Sequence, residues 1–355
     1  MKVTVSAGGH KVTDWADLST LAVEAERLGA DSLWTAETWA HDGATPLAYL
    51  AAKTSTLKLV SSVLQVGSRS PALLAMTAMT LHSMSGGRFI LGLGTSGPQV
   101  MEGWHGVPFD RPVQRTREVV EICRRVFAGE PLRYDGQLYQ LPLDAAHGGS
   151  GEGKVLSSDA PPTPELPIYL AALGPRNLRL TGELADGWIG TSFLPESAQV
   201  FLDPIRAGAQ AAGRSLRDVD IMVGGQVWFT DDVELAAYEL KLHAAFVLGG
   251  MGSSRHNFYH AAYCRQGWAD DVQEVRRLWL AGDRDEAIER VPLELVLATN
   301  LVGSPTDVRE RLRRYRDAGV TTFRASLRGQ TVADRLDTLG QLLDLIREVD
   351  LPRRS

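Results

Sequence analysis

The feature that most constrains this chain is the alternation of short apolar runs with amphipathic helical stretches. Runs at 3–6, 32–36, 58–64 and 89–91 are apolar enough to be buried on both faces, as strands of a parallel sheet are. Between the first two, Leu18, Leu21, Ala22, Ala25 and Leu28 fall on one helical face that stops at Gly29. Ser70 and Pro71 read as the cap and first residue of another helix, ending near Gly86. A helix end, tight turn and strand recur at 27–36, 183–191 and 317–326. Further strands at 168–171, 188–190, 220–228 and 322–326 complete eight alternating units, which favour a closed (β/α)₈ TIM barrel over an open sheet.

Such a barrel needs only about 250 residues. The chain has 355, so insertions are expected, at about 130–165 and 240–303. The first is rich in Gly, Ser and Pro and reads as a polar loop over one mouth of the barrel. No linker separates a second unit, so residues 1–355 read as a single domain. A net charge of −6 offers no basic field for nucleic acid or anionic membrane, and neither partner is expected. No apolar run reaches the ~18 residues of a membrane span, and the opening MKVTVSAGGH carries no leader pattern. The two cysteines, Cys123 and Cys264, read as packing thiols in a reducing, cytoplasmic setting.

Active sites of these barrels form where the strands end, so chemistry is expected among Gly8–His10, Glu37–His41, Ser62–Gln65, Gly92–Gly97, Leu173–Arg176 and Thr191–Ser192. Gly92 to Gly97 spell G-x-G-x-x-G, but after a fourth strand and before Pro98 and Trp104, so they read as glycines of a tight turn at the rim and not as a dinucleotide fingerprint. AALGPRNL at 171–178 is more informative. A strand ending in Gly174-Pro175 and opening a helix offers free N–H groups, a dipole and Arg176 to a phosphate. His256 and His260 have helical metal-ligand spacing but no third ligand, so no metal is expected. No G-x-S-x-G elbow is present to supply a hydrolase nucleophile.

Together the segments 33–54, 59–109, 166–191, 251–260 and 302–322 resemble the bacterial-luciferase-like superfamily, and within it the branch that uses the deazaflavin coenzyme F420. The resemblance implies an oxidoreductase passing a hydride between C5 of F420 and a C=C, C=N or C=O of a small organic substrate. It implies a non-prolyl cis peptide at Ser62–Val63 behind the cofactor ring, with Leu64, Gln65 and Gly67 along the ring edge and Gly94 and Thr95 beside it. Leu173, Gly174, Pro175 and Arg176 then hold the cofactor phosphate. Relatives place an acid followed by histidine after the second strand. Here Glu37 keeps the acid but Thr38 follows it, so His41 and His10 are the nearest proton donors.

Trp39, Trp104, Trp228 and Phe193 are candidate walls of an aromatic substrate pocket. The resemblance implies a homodimer through helices beside the second to fourth strands, where Ala75, Met76 and Met79 are either interface or core. Two other readings are an FMN-dependent monooxygenase of the same superfamily and a non-catalytic barrel that stores the cofactor.

Overall fold

The computed structural model describes residues 1–7, 14–252 and 257–351. Eight parallel strands close a barrel: β1 (Lys2–Ser6), β2 (Ser32–Thr35), β3 (Lys58–Ser61), β5 (Phe89–Gly94), β8 (Ile168–Ala171), β9 (Gly187–Ile189), β10 (Asp220–Val223) and β13 (Thr322–Leu327). The ring shuts where Val3 pairs with Phe323 and Thr4 with Arg324. The helices that return the chain include α1 (Trp15–Leu28), α2 (Thr45–Ala51), α3 (Pro71–Met84), α4 (Pro98–Gly103), α5 (Pro112–Phe127), α6 (Pro175–Leu184) and α7 (Gln199–Ala211). Asp14 caps α1, which ends at Gly29 with φ 97°, and Ser70 caps α3 ahead of Pro71.

Inside the barrel Trp34, Val60, Ile90, Tyr169, Ile189 and Met222 form one packed layer. Beneath it lies a polar floor. Asp220 accepts from the Tyr169 hydroxyl at 2.9 Å, from Thr322 Oγ1 at 2.9 and 3.0 Å, and from Thr321. Burial and the Asp220 charge both push the Tyr169 phenol's pKa up, so it stays a donor.

Two runs expected to be single strands are broken. The third strand stops at Ser61 and resumes as β4 (Leu64–Gln65), and the Ser62–Val63 peptide between them is cis. The run at 220–228 bends after Val223 and continues as β11 (Gln226–Phe229), pairing with β13 and with β12 (Leu301–Gly303). Gly224 and Gly225 sit at that bend because a Cβ on Gly224 would overlap the Arg324 backbone and one on Gly225 the Thr299 carbonyl.

The 130–165 segment does more than form a polar loop. Its two-stranded ribbon, β6 (Tyr134–Asp135) with β7 (Gln140–Leu141), is fastened along the outside of α5, while Leu132, Tyr134, Tyr139 and Leu141 pack on the main core. The buried carboxylate of Glu118 holds it by accepting from the N–H groups of Gln137, Leu138 and Tyr139 at 2.8, 3.0 and 2.9 Å. Burial by itself would raise the Glu118 pKa, but these bonds and one from Gln114 keep it below the ordinary 4.5. Its contribution to stability is therefore complete above the unfolded value and is lost as pH falls through the lower folded one. Glu118→Ala is expected to cost about 2 kcal/mol at pH 7. Urea midpoints at pH 7 and pH 4 check this, the variant losing less on acidification than the parent.

The 240–303 stretch is largely helical, containing α8 (Val233–Ala245, entering from upstream), α9 (Phe258–Tyr263), α10 (Ala269–Ala281), α11 (Arg284–Glu289) and α12 (Leu293–Ala298). These share a small core of their own around Leu248, Tyr263, Val275, Leu278 and Leu295. Helices α13 (Pro305–Asp317) and α14 (Val332–Asp350) complete the ring.

Candidate functional site

Against the packed layer lie the partly buried Ala36, Val63 and Ala171. Gly92 and Gly94 are not turn glycines as expected; both lie in β5 and face the β3–β4 break. A Cβ on Gly92 would overlap the Ser61 carbonyl oxygen, and one on Gly94 would stand 2.5 Å from Val63 Cγ2. The G-x-G pattern thus records two close backbone approaches. Around the break, Ser62 Oγ and Gln65 Oε1 are buried without hydrogen-bond partners among the described residues, and so is Trp34 Nε1. Buried polar atoms of this kind are normally satisfied, by protein, by water or by a bound ligand. Leu64 is fully buried and its side chain belongs to the main core, leaving only its backbone to the mouth. Thr95 and Val63 are half-buried beside it.

The carboxyl end of β8 leads through Leu173 and Gly174 into α6. No described side chain caps this helix, and Pro175 at its first position contributes no N–H. Gly174 has φ −78° and ψ 146°, open to any residue, and a Cβ there meets nothing within 4 Å. Neither backbone nor packing accounts for the space, which is the room an anion at the helix N-terminus would fill. Arg176 is exposed at this end, and Arg265, which the sequence reading did not single out, reaches over from beyond α9 to donate to the Leu173 carbonyl at 2.6 Å. Next door, Gln266 fixes the loop after β9 by donating to the Ser192 carbonyl at 2.7 Å and accepting from Leu194 N at 3.0 Å.

Glu37 is placed otherwise than a free acid would be. Arg69 Nη1 and Nη2 donate to its two oxygens at 2.6 and 2.7 Å, and Gly43 N donates to Oε2 at 3.0 Å. The pair is largely buried, and the Glu37 bonds raise the Arg69 pKa against the desolvation that lowers it. Thr35 Oγ1 donates to the Gly43 carbonyl at 2.7 Å, so the loop after β2 closes on itself around this ion pair. That loop carries Trp39 and His41, both exposed, with the imidazole edge-on to Trp15 at 5.1 Å. His10 and His256 lie outside the described residues. His260 sits 3.7 Å from Cys264 Sγ, and no group of three His, Cys, Asp or Glu side chains converges among the described residues.

Of the aromatic candidates, Trp104 is exposed and Trp228 stacks under Arg328 at 4.3 Å. Phe193 is corrected. It is 1% exposed within a cluster of Trp188, Phe201 and Tyr315, and is core rather than pocket. In the mouth instead stands Arg324, over the Trp34 ring at 3.8 Å.

Residues 2–322 match the family model described as luciferase-like monooxygenase. The chain is 41% identical over 305 residues to a protein of Mycobacterium tuberculosis named as a coenzyme F420-dependent oxidoreductase, covering 85% of this chain and 88% of that one. It is 29% identical over 303 residues to the 5,10-methylenetetrahydromethanopterin reductase of Archaeoglobus fulgidus, covering 84% and 85%. Among solved structures, the coenzyme F420-dependent tetrahydromethanopterin reductase from Methanopyrus kandleri superposes with a TM-score of 0.76 at 23% identity, covering 96% of this chain and 97% of that one.

Proposed function

The chain belongs to the luciferase-like monooxygenase family, and from that premise we propose that it is an F420-dependent oxidoreductase acting on a C=C, C=N or C=O of a small organic substrate. The 41% identity to a protein named as a coenzyme F420-dependent oxidoreductase carries this reading, because the barrel itself is shared with enzymes of other cofactors. The mouth fits the coenzyme: it has an uncapped helix end with room at Gly174, and unpartnered polar atoms at Ser62 and Gln65. When bound, F420 supplies the two-electron transfer at C5.

The chain's own residues then position and enclose. Ser62, Val63, Gln65, Gly94 and Thr95, with the Leu64 backbone, support the ring, and Leu173, Gly174, Pro175 and Arg176 with Arg265 receive the phosphate. Glu37 is a positioning residue that acts through Arg69 on the loop bearing His41 and Trp39, and the imidazole moves the proton. Trp39 and Trp104 shield the substrate from water. The whole chain works as one cytoplasmic domain. Leu73, Met76 and Met84 leave an apolar stripe exposed on α3 while Ala75 and Met79 pack inward, which supports pairing of two copies there.

Titration of the purified protein with F420 and with FMN tests the cofactor. Saturable binding of F420 and none of FMN is expected, and the reverse would overturn the reading. Gly174→Glu places a carboxylate in the phosphate seat and should weaken F420 by about tenfold or more, ~1.4 kcal/mol, with the melting temperature unchanged.

A further inference from the structure

Arg324 projects from β13 into the barrel mouth, and among the described residues nothing neutralises it. Among those residues it has no ion-pair partner, its Nε is buried without a hydrogen-bond partner, and its guanidinium lies over the Trp34 ring at 3.8 Å. Burial lowers its pKa to about 10. The Tyr259 phenol is itself pushed up by burial, so it remains a neutral donor beside the cation.

A cation held this way is costly, and stacking on an indole offsets only part of that cost. The cofactor elements do not explain it. The β3–β4 break and the start of α6 belong to the third and fifth barrel strands, whereas β13 is the eighth, next to β1.

We infer that the substrate carries an anionic oxygen group, carboxylate or phosphate, which Arg324 receives in the barrel mouth with Trp34 behind it and Tyr259 beside it. This rests on the oxidoreductase reading, since it places the group on the wall facing the cofactor. A planar guanidinium fixed on a ring keeps its N–H edge free for two parallel bonds to such a group. The bound anion would also neutralise this partly buried charge, so anionic substrates are selected over neutral isosteres of the same shape.

Calorimetric titration with benzoate, phenyl phosphate and benzamide, with and without F420, tests this. Wild type should bind at least one anion about tenfold or more tightly than benzamide, the tighter one distinguishing carboxylate from phosphate. Arg324→Gln should lose that preference and keep its F420 affinity within about twofold, and Arg324→Lys should retain part of the preference. Equal binding of benzamide, no binding of either anion, or a preference that survives Arg324→Gln overturns the proposal. The wild-type comparison needs no variant to fold. Absence of F420 binding by wild type would sink the cofactor reading instead, while the anion comparison on the cofactor-free protein still reports on Arg324.

Discussion

Gly92→Ala costs about 3 kcal/mol or more, or leaves the protein unable to fold. At this point β3 and β5 are joined through a side chain: Gly92 N donates to Ser61 Oγ at 2.8 Å, and that hydroxyl donates to the Gly92 carbonyl at 3.0 Å. The two backbones are thereby drawn so close that a methyl on Gly92 would fall inside the Ser61 carbonyl oxygen and lie 2.9 Å from Ile189 Cδ1. The obstacle is main chain, so no rotamer change relieves it, and β3 must move away from β5. That movement carries Ser62, Val63 and Gln65 with it. Urea unfolding and F420 titration of the variant should therefore fail together; a stability within about 0.5 kcal/mol of the parent, with unaltered F420 binding, would show the strands to be more compliant than argued.

Arg69→Met is expected to cost about 3–5 kcal/mol, the penalty for stranding one partner of a buried ion pair. The Glu37 side chain is 7% exposed and the Arg69 side chain 18%, so water cannot replace the lost donors. Glu37→Gln together with Arg69→Met should recover most of that loss, because an amide oxygen still accepts from Gly43 N without a stranded charge. A double-mutant cycle measures the coupling. Turnover separates positioning from proton donation. If the pair shapes the loop carrying His41, Glu37→Gln lowers stability and kcat/KM together and leaves the pH profile in place. A donor at Glu37 would instead give a lower kcat at unchanged stability and the loss of one limb of that profile.

The barrel was legible in the sequence because its signals are local: apolar runs of strand length, the Asp14 and Ser70 caps, and the left-handed stop at Gly29. What escaped depends on partners distant in the chain. The break after Ser61 is set by Gly92, and the bend at Gly224 by the Arg324 backbone a hundred residues on. Phe193 looks like a rim aromatic until Phe201 and Tyr315 are seen to enclose it. At the site, the phosphate seat was readable because one short segment contains all of it. Glu37 was found, but not its role, since nothing near it names Arg69 as partner. Arg324 did leave a signal that passed unused: an arginine at an alternate position of the apolar run TFRAS, on the side shared with Thr322, points into the barrel.

The Asp220 cluster beneath the aromatic and aliphatic layer has a bearing on descent. Because Tyr169, Thr321 and Thr322 clamp that end around one carboxylate, cohesion of the eight strands does not depend on what lines the opposite rim. Residues there can be exchanged over generations without endangering the scaffold, so a lineage built on this plan is free to change what it reduces while keeping how it stands.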